Sequence, residues 1–182
     1  MVSKLLSSAE MRCAALILIW LGSLGAATLQ KLTLSEMIEK STAVVRAKVG
    51  QCASDLRGST VYTTCQLSVL EQWKGQAASA NRVTLPGGTA KGIRHIFAGV
   101  PALQTGDERI FFLWAGKSGE PQLIGLSQGL MRLEKLADGT VMAVRTPGRD
   151  RMLDTSGQPV WDEGIEMPFA ELRRLVQAAG GQ

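Results

Sequence analysis

The pair Gly58-Ser59 lies between two β-rich runs, STAVVRAKVGQCASDLR before it and TVYTTCQLSVLEQWKG after it. Glycine at the first central position of a two-residue hairpin loop supplies the positive φ that a type II′ turn needs. The two runs therefore read as long strands folded on each other at that tip. Counting back along both strands, Cys52 falls opposite Cys65 in a non-hydrogen-bonded pair, whose Cα atoms stand about 4.5 Å apart. That spacing is near the lower end of what a disulfide tolerates. Two buried free thiols are the alternative; the export signal described below favours the bridge.

The same register does not carry unbroken to the base of the hairpin. Val45, Ala47 and Val49 alternate with Arg46 and Lys48, while Leu67 and Val69 alternate with Gln66 and Ser68. Continued from the tip, this pairing would set the apolar face of one strand against the polar face of the other. One extra residue near Gly50 restores the match, so a β-bulge is expected there. A bulged, coiled first strand is what a small barrel needs in order to close.

Residues 1–27 read as a secretory signal peptide. Lys4 and Arg12 supply the positive charge, residues 13–24 the apolar stretch, and Gly25-Ala26-Ala27 the small residues of a cleavage site. The apolar stretch is too short to span a bilayer, so cleavage leaves a periplasmic or secreted protein with no membrane span; retention as an uncleaved anchor is the alternative. Residues 28–182 are then one domain in size. Taking Lys4, Arg12 and Glu10 away from the 20 basic and 16 acidic residues leaves 18 against 15. That balance is too even for a nucleic-acid footprint, and the only basic bunch, Arg145, Arg149 and Arg151, is interrupted by Asp150.

Thr33 or Ser35 caps a short helix through Lys40, with Leu34, Met37 and Ile38 at core-facing spacing. Beyond the hairpin, residues 82–85 read as a short strand stopped by Pro86-Gly87-Gly88, and residues 89–104 as a long loop over one end of the fold. Residues 109–114 are an apolar run without alternation, which predicts a central strand buried on both sides. Short strands follow at residues 123–126, 130–136 and 140–145, the last two joined by an Asp138-Gly139 turn. Residues 146–167 are polar and rich in Gly and Pro and read as irregular. Pro168 then opens a helix over residues 169–178, whose Phe169, Leu172, Leu175 and Val176 form one apolar stripe. The pattern predicts a mainly β fold, a small OB-like β-barrel with a short N-terminal helix and a C-terminal helix; a β-sandwich is the runner-up.

The catalytic inventory is small. A zinc site takes three or four His, Cys or carboxylate ligands, whereas the chain has one histidine and its Cys52 and Cys65 are committed to each other. His95 stands in Arg94-His95-Ile96-Phe97 without HExxH or CxxC spacing. A Ser-His-Asp hydrolase would have to use that same imidazole as its base, together with a serine in a strained elbow and a buried acid. Pro86-Gly87-Gly88-Thr89 and Gly180-Gly181 lack the Lys-Ser/Thr of a phosphate loop and read as turns. The carboxylates Asp162, Glu163 and Glu166 gather near Trp161 and are the candidates for an acid/base pair. Trp73, Trp114 and Trp161 are either core residues or parts of a ligand platform. No cofactor is implied.

Two stretches carry a resemblance. Residues 41–49, STAVVRAKV, followed by a hairpin and then Val69-Leu70-Glu71-Gln72-Trp73-Lys74-Gly75, resemble the start of netrin-like domains, among them the tissue inhibitors of metalloproteinases. There a similar strand pair ending in aromatic-Lys-Gly builds the first part of an OB barrel. The resemblance covers roughly 35 of the residues and implies the fold. Those inhibitors chelate a protease zinc through an N-terminal cysteine; here the first cysteine after the signal is Cys52, so that mechanism does not transfer. Pro86-Gly87-Gly88, Gly99-Val100-Pro101 and Gly106-Asp107-Glu108 ahead of an apolar strand also resemble a group of exported bacterial proteins, a likeness that implies export and no activity.

These readings favour an exported, non-enzymatic module that binds a protein partner through the end of the barrel. The residues in view are Trp73, Lys74, Arg94, His95 and Phe97, on or beside residues 86–104. The alternatives are an inhibitor or accessory partner of an exported protease, and a hydrolase using the carboxylates of residues 154–166 on a saccharide or similar substrate.

Overall fold

The computed structural model describes residues 28–76, 80–116, 119–148 and 150–180; the expected signal at residues 1–27, and Arg149, lie outside the described residues. The chain runs β1 (Thr28–Gln30), α1 (Leu34–Lys40), β2 (Ala43–Arg57), β3 (Thr60–Lys74), β4 (Arg82–Pro86), β5 (Gly88–Ala90), β6 (Ile93–His95) and β7 (Glu108–Ala115). It continues through β8 (Pro121–Leu123), a 3-10 turn (Leu126–Gly129), β9 (Leu130–Lys135), β10 (Val141–Arg145), β11 (Arg151–Leu153), β12 (Pro159–Val160), β13 (Ile165–Pro168) and α2 (Phe169–Gly180).

The β2–β3 hairpin follows the expected register. Gly58 takes φ 59 at the tip, Arg57 faces Thr60, and Cys52 faces Cys65. The two cysteines form a disulfide with Cα atoms 4.0 Å apart. Between Val49 and Cys52 the register shifts by one residue, where the bulge was expected. A Cβ on Gly50 would lie 3.3 Å from the Gln66 Cβ, which leaves room for little more than glycine. Two further shifts nearer the base, between Arg46 and Ala47 and between Val44 and Val45, have no sequence signal. Replacing both cysteines by serine is expected to lower unfolding free energy by about 3 kcal/mol, the chain-entropy value for a loop of this size. Urea unfolding checks it; a loss near zero would mean that the hairpin is closed as firmly without the bridge.

The main sheet has eight strands in the order β13-β10-β9-β7-β2-β3-β4, with β8 paired to β7 beyond the end of β9. It coils enough to bring β4 close to β8, although three strands separate them in the sheet. Among the described residues no ladder joins β13 to β4, so the sheet stays open where the sequence led us to expect a barrel. Its edges are short: β4 pairs with β3 only from Tyr62 to Gln66, and Val100 and Leu103 of the following segment pack on the concave core.

Both faces of β7 are buried from Ile110 to Leu113, as the unalternating apolar run leads one to expect, but Trp114, at the end of that run, is 40% exposed. Phe111 and Leu113 join Val45, Val49, Leu67 and Val83 in the concave core. Ile110 and Phe112 face the other way, into a core with Met37 and Ile38 of α1, Trp73, and Leu172 and Val176 of α2. Thr33 caps α1 through a capping box with Glu36. The buried pair in α2 stands four residues apart, the spacing of one helical face.

Three regions differ from the sequence expectation. Residues 89–104 are not all loop: β5 and β6 form a small hairpin whose turn, Lys91-Gly92, takes positive φ at both positions, as a type I′ turn requires. Residues 121–123 form the strand expected at 123–126, and the chain then passes into the 3-10 turn. Residues 146–167 hold three short strands, of which β11 pairs with β1 in parallel and with β12 antiparallel. Nonlocal partners organise this polar stretch. The buried Gln128 ties the same region down: its Oε1 accepts from Leu32 N at 2.8 Å and its Nε2 donates to Gln30 O at 2.9 Å.

Candidate functional site

Glycine conformation places the site. Gly87 and Gly88 take φ 100 and 122, and a Cβ on Gly88 would sit 2.3 Å from Thr63 Oγ1 and 2.6 Å from Ser54 Oγ. The chain leaving β4 is thereby laid directly over the β2–β3 hairpin. Thr63 Oγ1 donates to Gly87 O at 2.7 Å. Its proton being committed there, the 2.9 Å contact with Ser54 Oγ has serine as donor. Gly87 N in turn donates to Val61 O at 2.7 Å.

The β5–β6 hairpin anchored in this way closes one side of a cleft of about 380 Å³. Its walls include Leu85, Phe97, Val100, Leu103 and the Cys52–Cys65 disulfide, and among the described residues Arg94 is the only formally charged one lining it. His95 Nδ1 accepts from Val61 N at 3.1 Å. In the neutral ring the proton is then on Nε2, which is left as a donor. The imidazole meets Phe97 edge to face at 6.1 Å between ring centres. Ile96 is 77% exposed and Phe97 42%, so two neighbouring apolar side chains meet solvent beside the cleft. The cleft offers apolar walls and cationic or N–H donors, with no lining carboxylate among the described residues. It suits an apolar group carrying a hydrogen-bond acceptor.

Arg94, His95 and Phe97 thus come together, and Trp73 and Lys74 do not join them. His95 touches the first residues of β3, whereas Trp73 and Lys74 end that strand, some 40 Å away along an extended chain. Trp73 is 6% exposed, packed edge to face on Phe169 at 5.3 Å, with its indole N–H donating to Glu71 at 3.1 Å. Lys74 Nζ donates to Ile38 O at 2.7 Å and Glu39 O at 2.9 Å, satisfying carbonyls at the end of α1.

The carboxylates near Trp161 are likewise dispersed in role. Asp162 accepts from Arg145 Nη1 and Nη2 at 2.6 and 2.7 Å, and also from Gly148 N and Gly164 N. Burial pushes its carboxyl up, but the guanidinium and the two backbone N–H groups outweigh that and hold its pKa down at about 2. Glu163 makes an exposed ion pair with Lys31 at 3.4 Å. Glu166 sits on β13 opposite Val144. Trp161 itself is 90% exposed. Among the described residues, no three His, Cys, Asp or Glu side chains are grouped to hold a metal ion, and no helix is long and apolar enough to cross a membrane.

One pattern escaped the reading of the sequence. Gly125-Leu126-Ser127-Gln128-Gly129 has G-x-S-x-G spacing and follows a strand, as a nucleophile elbow does. Packing accounts for its glycines: a Cβ on Gly129 would lie 2.5 Å from Ile124 O, and one on Gly125 would lie 2.9 Å from Leu32. The single imidazole, His95, lines the other cleft, where it accepts from Val61 N, and among the described residues no hydrogen bond joins it to Ser127. No family model matches the chain, and no curated protein is similar to it.

Proposed function

We propose that this chain is an exported, non-enzymatic module that binds a protein partner through the cleft between the β5–β6 hairpin and residues 96–103. The observation that carries this is the rim: Ile96 and Phe97 stand 77% and 42% exposed beside an apolar cleft whose only charge among the described residues is Arg94. Exposed anchors of this kind beside a concave apolar surface are what hot spots on a partner bury. The disulfide supports an oxidising compartment. The strongly coiled sheet, with one helix before it and one after, supports an OB-like fold related to the netrin-like pattern, formed by residues 28–182 as a unit.

Capture from periplasmic or culture extract tests the site. The unmodified protein recovers a specific partner, and Ile96→Asp with Phe97→Asp loses it. Leu70→Asp, at an exposed position on β3, keeps it. Recovery undiminished by the pair of substitutions would remove this cleft as the docking site.

A further inference from the structure

On the same concave face lies a second, smaller pocket of about 200 Å³, separated from the first cleft by Pro101, which lines both. Arg109 on β7 and Arg132 on β9 are directly opposite each other there. Like charges facing each other across paired strands are destabilising, a cost that flanking carboxylates offset in part. Each has a flanking partner, Asp107, just before β7, at 3.1 Å for Arg109 and Glu134, on β9, for Arg132. These carboxylates, and Asp162 that pairs with Arg145, do not line the pocket. Three arginines do, together with Ser127 and Thr146.

The hydroxyls face the same way chemically. Thr146 Oγ1 accepts from Arg132 Nη1 at 3.1 Å, so its own proton is available to an acceptor. Ser127 makes no side-chain hydrogen bond among the described residues; its backbone N–H, which donates to Gly99 O at 2.9 Å, holds it in place. Arg109 and Arg132 side chains are 30% and 35% exposed, reachable by solute yet less screened than free surface charges. Two guanidinium forks and two hydroxyl donors line one small space, without a lining carboxylate among the described residues, and are the donor types that an oxyanion accepts from.

We infer that Arg109, Arg132, Ser127 and Thr146 form a binding site for an oxyanion group, a carboxylate or a phosphate, carried by a small ligand. The bound anion adds to the partial compensation that Asp107 and Glu134 give the opposed guanidinium charges, and the Ser127 position of the G-x-S-x-G pattern is a binding position. The inference stands apart from the docking cleft and does not depend on it.

Heteronuclear NMR titration of the disulfide-intact protein tests it, using inorganic phosphate and citrate separately, with chloride at matched ionic strength as reference. The expected result is saturable movement of the Arg109 and Arg132 side-chain N–H resonances with at least one of the two probes. Affinity should fall about tenfold or more in Arg109→Gln and Arg132→Gln, the scale of one lost charge-assisted hydrogen bond. Arg82→Gln, on the sheet edge, should bind like the parent. Thr146→Val, which leaves all charges in place, should also weaken binding, and it keeps the test alive if an arginine variant fails to fold. Response to phosphate alone assigns a phosphate group, and to citrate alone a carboxylate. Movement with chloride equal to that with both probes, or binding unchanged in the Arg and Thr variants, overturns the inference.

Discussion

Asp162→Asn is expected to cost this protein about 3–5 kcal/mol of stability, the range for breaking a buried ion pair by removing one partner. Asp162 and Arg145 side chains are 0% and 6% exposed, and both carboxylate oxygens are engaged. The substitution strands a buried guanidinium whose Nε already lacks a partner among the described residues. For a domain of this size the melting temperature should fall by roughly 10 °C. A double change, Arg145→Met with Asp162→Leu, should recover part of the loss, because replacing a buried pair by apolar residues is often neutral or stabilising, while Gly148 N and Gly164 N still lose their acceptor. Urea unfolding of the three proteins decides it. A loss under about 1 kcal/mol in Asp162→Asn, the level of a surface ion pair, would show that the pair is solvated.

The same pair sets an acid limb. Asp162 has its carboxyl held at about 2 in the folded protein, against an ordinary value of 3.8. A group depressed on folding contributes stability above its unfolded pKa and loses it as pH falls through the folded one. About 2 kcal/mol should therefore be present above pH ~4 and disappear between pH ~4 and ~2. Asp162→Asn should flatten the pH dependence in that window. An unchanged acid limb in the variant would assign it to other carboxylates.

Phe111→Ala and Phe112→Ala should each cost about 3–5 kcal/mol, the range for emptying an aromatic from a packed core. They are neighbours in sequence and both 0% exposed, but they fill different cores, one concave and one under the helices. If only one face of β7 were dry, one of the two variants would cost less than about 1 kcal/mol, as a surface change does. Equal, large losses in denaturant unfolding are the signature of a strand buried on both sides.

Much of the hairpin was legible because its signals are local. Gly58 specifies the turn by φ, the turn specifies the register, and the register puts Cys52 on Cys65; the mismatch of two alternating patterns then requires the bulge at Gly50. The unbroken apolar run of β7 announces two buried faces, and the stripe in α2 announces one. The binding residues were half legible. Arg94, His95 and Phe97 are adjacent in sequence and stay together, whereas Trp73 and Lys74 are drawn away by Phe169 and by the end of α1. Nothing near Trp73 in the chain reports those partners.

Local periodicity, turn chemistry and cysteine register were therefore determined by the sequence itself, since each depends on φ preferences and side-chain alternation within a few residues. Only the tertiary structure decided that the sheet stays open, that a polar tail supplies β11 to pair with β1, that Asp162 is spent on Arg145, and that Arg109 meets Arg132. Each of these is a contact between segments remote in sequence. Its free energy arises from burial and pairing across the fold, for which no single stretch of the chain carries a pattern.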